Sequence, residues 1–208
     1  MARHGADSMR GMELIHYLQH HFLTREQLLR AAGIEGARLD ALQQAGSAPR
    51  PSYRLRLRIA CESFFGPHGE EHGIDYYARG YAQWIAALPT TGEPFGLFAG
   101  RYRAALGALP LATDAGLGQE AHLREEWRHF LEGTYGLCTR SGLPEDIAAK
   151  EAAVRAIGAL TAAEPVDLAR LRVAVDLLDR ASSPFAPHER ARSSRRRLVD
   201  DLRARYGL

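Results

Sequence analysis

Apolar residues recur at helical spacing along most of this chain and alternate strictly in one stretch. Leu14, Ile15, Leu18 and Phe22 return every three or four positions from Met12 onward, which predicts a first helix. Thr24 followed by Gln27 has the form of a capping box opening a second helix, REQLLRAA, which Gly33 ends. Ile34 leads into a third through Leu39 and Leu42, closed by Gly46, and GSAPRPS follows as proline and glycine punctuation. In YRLRLRIA the period changes to two. Leu55, Leu57 and Ile59 take one face and Arg54, Arg56 and Arg58 the other, the pattern of a half-buried strand.

Glycines and a proline make SFFGPHGEEHG a loop, and DYYARGYAQWIAAL reads as a helix or broken helix carrying Tyr76, Tyr77, Tyr81 and Trp84. PTTGEP is a linker, 95–109 an amphipathic helix and PLATDAGLG a flexible loop. Residues 119–133 form the strongest helix, with Leu123, Trp127, Phe130 and Leu131 on its buried side. Pro144 at the first helical position starts the next, where Glu145 and Asp146 suit the dipole. Pro165 starts another, apolar at Leu168, Leu171, Val175 and Leu178; SSPFAP breaks it before a last basic helix. Residues 1–10 read as a loose tail. The expected fold is mainly α: a trihelical head with a small β wing, residues 12–62, packed on a helical body, residues 74–208.

Composition narrows the function classes. At 46% hydrophobic, 25% charged and net charge +2, the chain is too nearly neutral to argue for nucleic acid or membrane by charge alone. Its arginines nevertheless cluster at 50–58 and 190–205. Cys61 and Cys138 lie far apart with no CxxC, which favours a reduced, cytoplasmic protein over a disulfide framework. No apolar segment approaches the roughly 20 residues a spanning helix needs, so no membrane association is expected. Asparagine is absent, which excludes Asn–adenine readout. A Walker loop and GxSxG are missing, and GLG at 116–118 lacks the third glycine of a dinucleotide fingerprint.

Candidate chemistry centres on 127–151, WRHFLEGTYGLCTRSGLPEDIAAKE, which holds Lys150, the chain's one lysine. Cys138 is a candidate thiol nucleophile, given a base or a helix N-terminus beside it, and a small core residue otherwise. Glu126 and His129 have the ExxH spacing of di-iron bundles, as do Glu13 and His16, and His122 joins the first pair's stripe. The further carboxylate helices of such a site are not evident, and no metal ligand is assigned. Lys150 sits four after Asp146, an i,i+4 ion pair, or a position where a compact, tunable ammonium is required. Together Cys138, His129, Glu126 and Lys150 form a candidate catalytic set. Tyr76, Tyr77, Tyr81, Trp84, Trp127, Tyr135 and Arg140 form a candidate ligand-binding set, since that much aromatic area means core or a lined pocket. His68-Gly-Glu-Glu-His72 has the spacing of the inverted zinc motif, but Pro67 and its glycines favour a polar loop over the helix that motif needs.

Two resemblances follow from these motifs. The helix, AAGI turn, helix and G-x-x-P-x-P-x-Y-R order resembles the helix-turn-helix head of MerR-type regulators and excisionases. That would offer Arg38, Arg50, Arg54 and Arg56 to DNA, although Glu35 and Asp40 flank Arg38. FLTREQLL, GSAPRPSYRL, YYARGYAQWI, YGLC with LPEDIAAKE, and SPFAPHER resemble one bacterial family of unknown function whose members are commonly titled natural-product biosynthesis proteins, over about residues 12–206. Members usually carry an acidic residue in the C-terminal serine-arginine motif, whereas Ser194 here precedes three arginines. The resemblance implies a natural-product pathway and carries no catalytic residues or cofactor. The expected function is an accessory or regulatory protein binding a small molecule or biosynthetic protein partner through the helical body. The alternatives are a small thiol- or metal-dependent enzyme and a DNA-binding regulator, with a homodimer and nucleic acid among the partners to be tested.

Overall fold

The computed structural model describes residues 13–88, 93–112 and 114–208. The expected tail at 1–10 and most of the PTTGEP linker lie outside them. Helix α1 (Glu13–His21) runs into strand β1 (Phe22–Thr24), then helices α2 (Arg25–Ala32) and α3 (Gly36–Gln44). The capping box forms: Thr24 Oγ1 accepts from the Gln27 amide and Gln27 Oε1 accepts from the Thr24 amide at 2.9 Å. Such a cap contributes about 1 kcal/mol. Gly33 closes α2 in the left-handed region at φ 66°.

Strands β2 (Tyr53–Ser63) and β3 (Gly66–Ala78) form a long antiparallel hairpin whose register runs from Tyr53↔Tyr76 to Ser63↔Gly66. β3 also pairs with β1 from Phe22↔Ala78 to Thr24↔Tyr76, giving the sheet order β1-β3-β2. The segment expected as a loop, SFFGPHGEEHG, is therefore strand on both sides of a Phe64–Phe65 turn, and Asp75–Ala78 is strand rather than helix. The reason is physical. Among the described residues the outer hairpin packs on nothing, so it shows no alternation, and Pro67 sits where β3 has no neighbour on its far side and loses no ladder bond there. The sheet also carries the head on to Ala78.

The body comprises α4 (Tyr81–Ala87), α5 (Pro94–Gly107), α6 (Glu120–Leu131), α7 (Thr134–Cys138), α8 (Pro144–Ala162), α9 (Leu168–Ala181) and α10 (Asp201–Tyr206). Short 3₁₀ turns occupy Ala115–Gly118 and Arg190–Arg192, and a π turn, Arg196–Asp200, precedes α10. The described residues are thus mainly helical, with one small antiparallel sheet. The loop expected at 110–118 contains the first of those turns, and the last basic helix is short and preceded by the other two.

One apolar cluster crosses from head to body. Leu28, Leu39 and Leu42 join Tyr77, Tyr81, Trp84, Phe98, Phe130 and Ile147. Trp84 packs on Phe130 at 4.9 Å and on Trp127 at 5.7 Å between ring centroids, and Phe98 lies 5.3 Å from both Trp127 and Phe130. Burial of each such side chain stabilises the fold by about 2–3 kcal/mol. Backbone contacts reinforce the junction: the Arg50 amide donates to Leu131 O at 2.8 Å, and Trp84 Nε1 donates to Ser47 O at 2.9 Å. Gly133, at φ 82°, lets α6 turn into α7 against this seam; a Cβ there would lie 2.6 Å from Arg50 O. A second cluster holds α8, α9 and Val199, and a third joins Tyr17, Phe22 and Tyr76 to Ala186.

Candidate functional site

Helix α7 is only five residues, TYGLC, and its end is held by side chains. Thr139 Oγ1 donates to Tyr135 O at 2.6 Å and accepts from the Gly142 amide at 3.0 Å. The SSPFAP segment then lies along it. The Arg140 amide donates to Ala181 O at 2.8 Å, Thr139 bridges Ser182, and Ser183 donates through Oγ to Leu137 O at 2.5 Å. Phe185, whose amide donates to Ser183 Oγ at 3.3 Å, stands in the left-handed region at φ 56°, a conformation that costs a non-glycine residue about 1 kcal/mol or more.

Between these two segments is an open cavity of about 270 Å³, lined by Thr134, Leu137 and Cys138 on one side and Phe185, Glu189 and Arg192 on the other. Cys138 is partly buried, its Sγ 3.8 Å from Thr134 O. Glu189 is fixed from outside the cavity: its Oε2 accepts from Tyr53 Oη at 2.7 Å and from the Ala186 amide at 3.3 Å. Burial, and then the Glu189 carboxylate, raises the Tyr53 hydroxyl far above the usual phenol range. Lys150 Nζ lies 5.9 Å from the Phe185 ring centroid. The expected Asp146–Lys150 pair is not made. Asp146 instead accepts from the Ser141 amide at 2.9 Å and from Ser141 Oγ at 2.6 Å, holding the turn before α8. Burial lifts its carboxyl above the ordinary range despite those donors.

A second polar group lies in the core between α5, α6 and α7. Glu126 is 7% exposed and accepts from Tyr135 Oη; His122 Nε2 stands 3.9 Å from its other oxygen, and Tyr102 Oη lies 3.3 Å from the same imidazole nitrogen. Burial raises the Glu126 carboxyl above the ordinary glutamate range, against the pull of Tyr135 and His122. The chain of phenol, imidazole and carboxyl can hold a proton, but none of its members lines the Cys138 cavity.

The expected catalytic set is therefore divided. Cys138 borders the cavity and Lys150 reaches Phe185, whereas Glu126 belongs to the core network and His129 turns its Nδ1 to Glu132 at 3.5 Å. Of the expected ligand set, Tyr76, Tyr77, Tyr81 and Trp84 are all 2% exposed or less and pack as core. Trp127 and Arg50 line a shallow depression of about 360 Å³ with Gln43 and Arg128, and Arg140 lines one of about 100 Å³ with Arg79 and Tyr17. Arg38 is exposed on α3, Arg54 is 3.9 Å from Asp75, and Arg56 is exposed opposite Gly73. The HGEEH string is strand, not loop or helix, so Glu70 faces with both imidazoles, 3.2 Å from His72, while Glu71 pairs with Arg58 on the other face. Sequence reasoning missed Phe185, Glu189 and Arg192 as site residues. Their only signal was SPFAPHER, whose two prolines mark a shaped loop rather than a simple helix break.

Among the described residues no helix is long and apolar enough to cross a membrane. No curated protein and no solved structure matches the chain. Residues 94–207 match the model of a family of unknown function, DUF6058, from the first turn of α5 through α10. That stretch contains the core network and both walls of the Cys138 cavity, and does not extend over the head, which the resemblance at the level of motifs had included. More than half of the 208 residues are matched, and the chain belongs to the DUF6058 family.

Proposed function

We propose that this is a non-catalytic accessory or regulatory protein of a natural-product biosynthetic pathway, binding a small molecule in the cavity between α7 and the 182–193 segment. The observation that carries this reading is the cavity itself: apolar walls from Leu137 and Phe185, a strained Phe185 backbone, and an exposed guanidinium, Arg192, at its margin. Its volume of about 270 Å³ lies just under the usual span for ligand pockets, roughly 300–1,000 Å³, and suits a small molecule. A largely apolar ligand with one acidic group suits this lining, the acid meeting Arg192. Glu189 couples the cavity to Tyr53 at the start of β2, so occupancy has a direct route to the head. The pathway assignment rests on the resemblance of YGLC, PEDIAAKE and SPFAPHER to proteins titled for natural-product biosynthesis.

The test uses 1-anilinonaphthalene-8-sulfonate, an aromatic probe with one anionic group, titrated into the full chain. Saturable, single-site fluorescence enhancement is expected, abolished by Leu137→Trp with the circular dichroism spectrum retained. No enhancement, or enhancement indifferent to Leu137→Trp, overturns the proposal.

A second reading, a MerR-like DNA-binding regulator, is supported by one observation. The order helix, strand, helix, helix, hairpin with sheet order β1-β3-β2 is that of a winged helix, with α3 as the reading helix. Its charge is modest. Arg25 holds Asp40 at 2.8 Å, but Arg54 and Arg58 face Asp75 and Glu71, which leaves Arg38, Arg50 and Arg56 for phosphates. Anisotropy titrations of duplex DNA against salt should then give a log–log slope of only about −3. Absence of binding at low salt excludes this reading.

A further inference from the structure

The β2–β3 hairpin leaves the rest of the molecule as a two-stranded arm. Beyond Arg58 and Glu71 both strands are exposed on both faces, and the turn carries Phe64 and Phe65 at 98% and 95% exposure, their rings 5.4 Å apart. A lone two-stranded ribbon is marginal in water, and an outer strand with an open row of N–H and C=O groups is a template for another strand. Here β2 is that outer strand; among the described residues it pairs with β3 alone.

Its charges are arranged about a centre. On the arginine face, Arg54 stands opposite Asp75 and Arg58 opposite Glu71. Arg56 stands opposite Gly73 and Glu62 opposite Pro67, and neither makes an ion pair among the described residues. These two unmatched charges are opposite in sign and equidistant from Ile59. Leu57 and Cys61, on the other face, are likewise equidistant from Ile59.

We propose that the free edge of β2 pairs antiparallel with the same edge of a second copy of this chain, on a two-fold axis at Ile59. Ile59 then faces Ile59, Leu57 faces Cys61, and Arg56 faces Glu62 twice over, the self-complementarity that an isologous interface requires. Neighbouring registers lose this. Centring on Arg58 sets that arginine against itself, and centring on Leu57 sets Arg56 against Arg58. Centring on Ala60 leaves Arg56 unmatched and directs Glu62 to Arg58, which Glu71 already holds at 2.8 Å. Continued to the tip, the Ile59 register brings Phe64 and Phe65 of each copy level with Arg54 and Tyr53 of the other, giving both exposed rings something to cover. The two sheets become one of six strands.

The experiment is sedimentation equilibrium of the full chain, joined to cysteine cross-linking in a Cys61→Ser, Cys138→Ser background. A monomer–dimer equilibrium is expected. On mild oxidation Ile59→Cys gives a disulfide-linked dimer, because facing Cβ atoms lie roughly 5 Å apart, whereas Arg58→Cys does not. Arg56→Glu weakens the dimer by roughly tenfold in Kd, the effect of two like-charge contacts, and Glu62→Arg added to it restores the dimer. All these positions are exposed on the arm, so the variants fold. A chain that stays monomeric at every concentration overturns the proposal. So does a dimer that is indifferent to Arg56→Glu or cross-links through Arg58→Cys as readily as through Ile59→Cys.

Discussion

Tyr53 donates its hydroxyl proton to Glu189 at 2.7 Å across 136 positions of sequence, joining the first residue of the hairpin to the wall of the Cys138 cavity. Both partners are half-buried, and the acceptor is a carboxylate, the stronger class of hydrogen bond. Tyr53→Phe should therefore destabilise the fold by about 1–2 kcal/mol. For a chain of this size that lowers Tm by about 3–6 °C. A thermal melt followed by circular dichroism measures it, and an unchanged Tm would show that the bond contributes nothing.

The buried carboxyl of Glu126 gives a pH signature. Its folded pKa is raised, so between the unfolded value, roughly 4.3, and the folded one the native state binds more protons than the unfolded chain. Stability from this group is therefore complete below the unfolded value and is lost as pH rises through the folded one. Glu126→Gln keeps an oxygen for Tyr135 and does not ionise. The Tm of the variant minus that of the parent should thus grow more positive from pH 4 to pH 7, and a flat difference would contradict the assignment.

Gly133 is strained for any other residue. At φ 82°, with a Cβ forced to 2.6 Å from Arg50 O, Gly133→Ala should cost at least about 1–3 kcal/mol. Urea unfolding should show a lower midpoint. Gly100, on α5, has a helical backbone and open space where a methyl group would stand, so Gly100→Ala is the contrasting variant and should stabilise by up to about 1 kcal/mol.

The two thiols should differ in access. Cys61 is exposed on the arm, while Cys138 is half-buried and lies in the cavity wall. At a protein concentration low enough to keep the chain monomeric, iodoacetamide should alkylate Cys61 first, as read by peptide mass spectrometry. Saturating anilinonaphthalenesulfonate should slow Cys138 alone. Equal protection of both thiols would remove the cavity as the binding place.

Helix ends were legible because their causes are local: Thr24 with Gln27, Gly33, and Pro144 each act within four residues of themselves. The first half of the hairpin was legible in Arg54 to Ile59, where the inner face is partly covered. The returning strand was not, since a ribbon exposed on both sides has no reason to alternate, and its glycines imitate a loop. The site was legible only as a region. Cys138 stood out by rarity, but the tie from Glu189 to Tyr53 is set by tertiary packing. Nor does a phenylalanine at 185 announce a positive φ; there its amide donates to Ser183 Oγ and its carbonyl accepts from Arg190 Nε, 183 and 190 being positions the local sequence does not mark.

Leu28, Leu39 and Leu42 pack with Trp84, Phe98 and Phe130 in one cluster, and this makes head and body one folding unit. Cutting the chain after Ala78 would strip three leucines of their cover and leave the aromatic side chains of α5 and α6 facing solvent. Neither fragment should then express as a soluble product. The intact chain should melt in one calorimetric transition with equal van't Hoff and calorimetric enthalpies. A head that melts only with its body cannot swing on a hinge. Cavity and arm are therefore joined through a single cooperative lattice of side chains, in which only small shifts can pass between them.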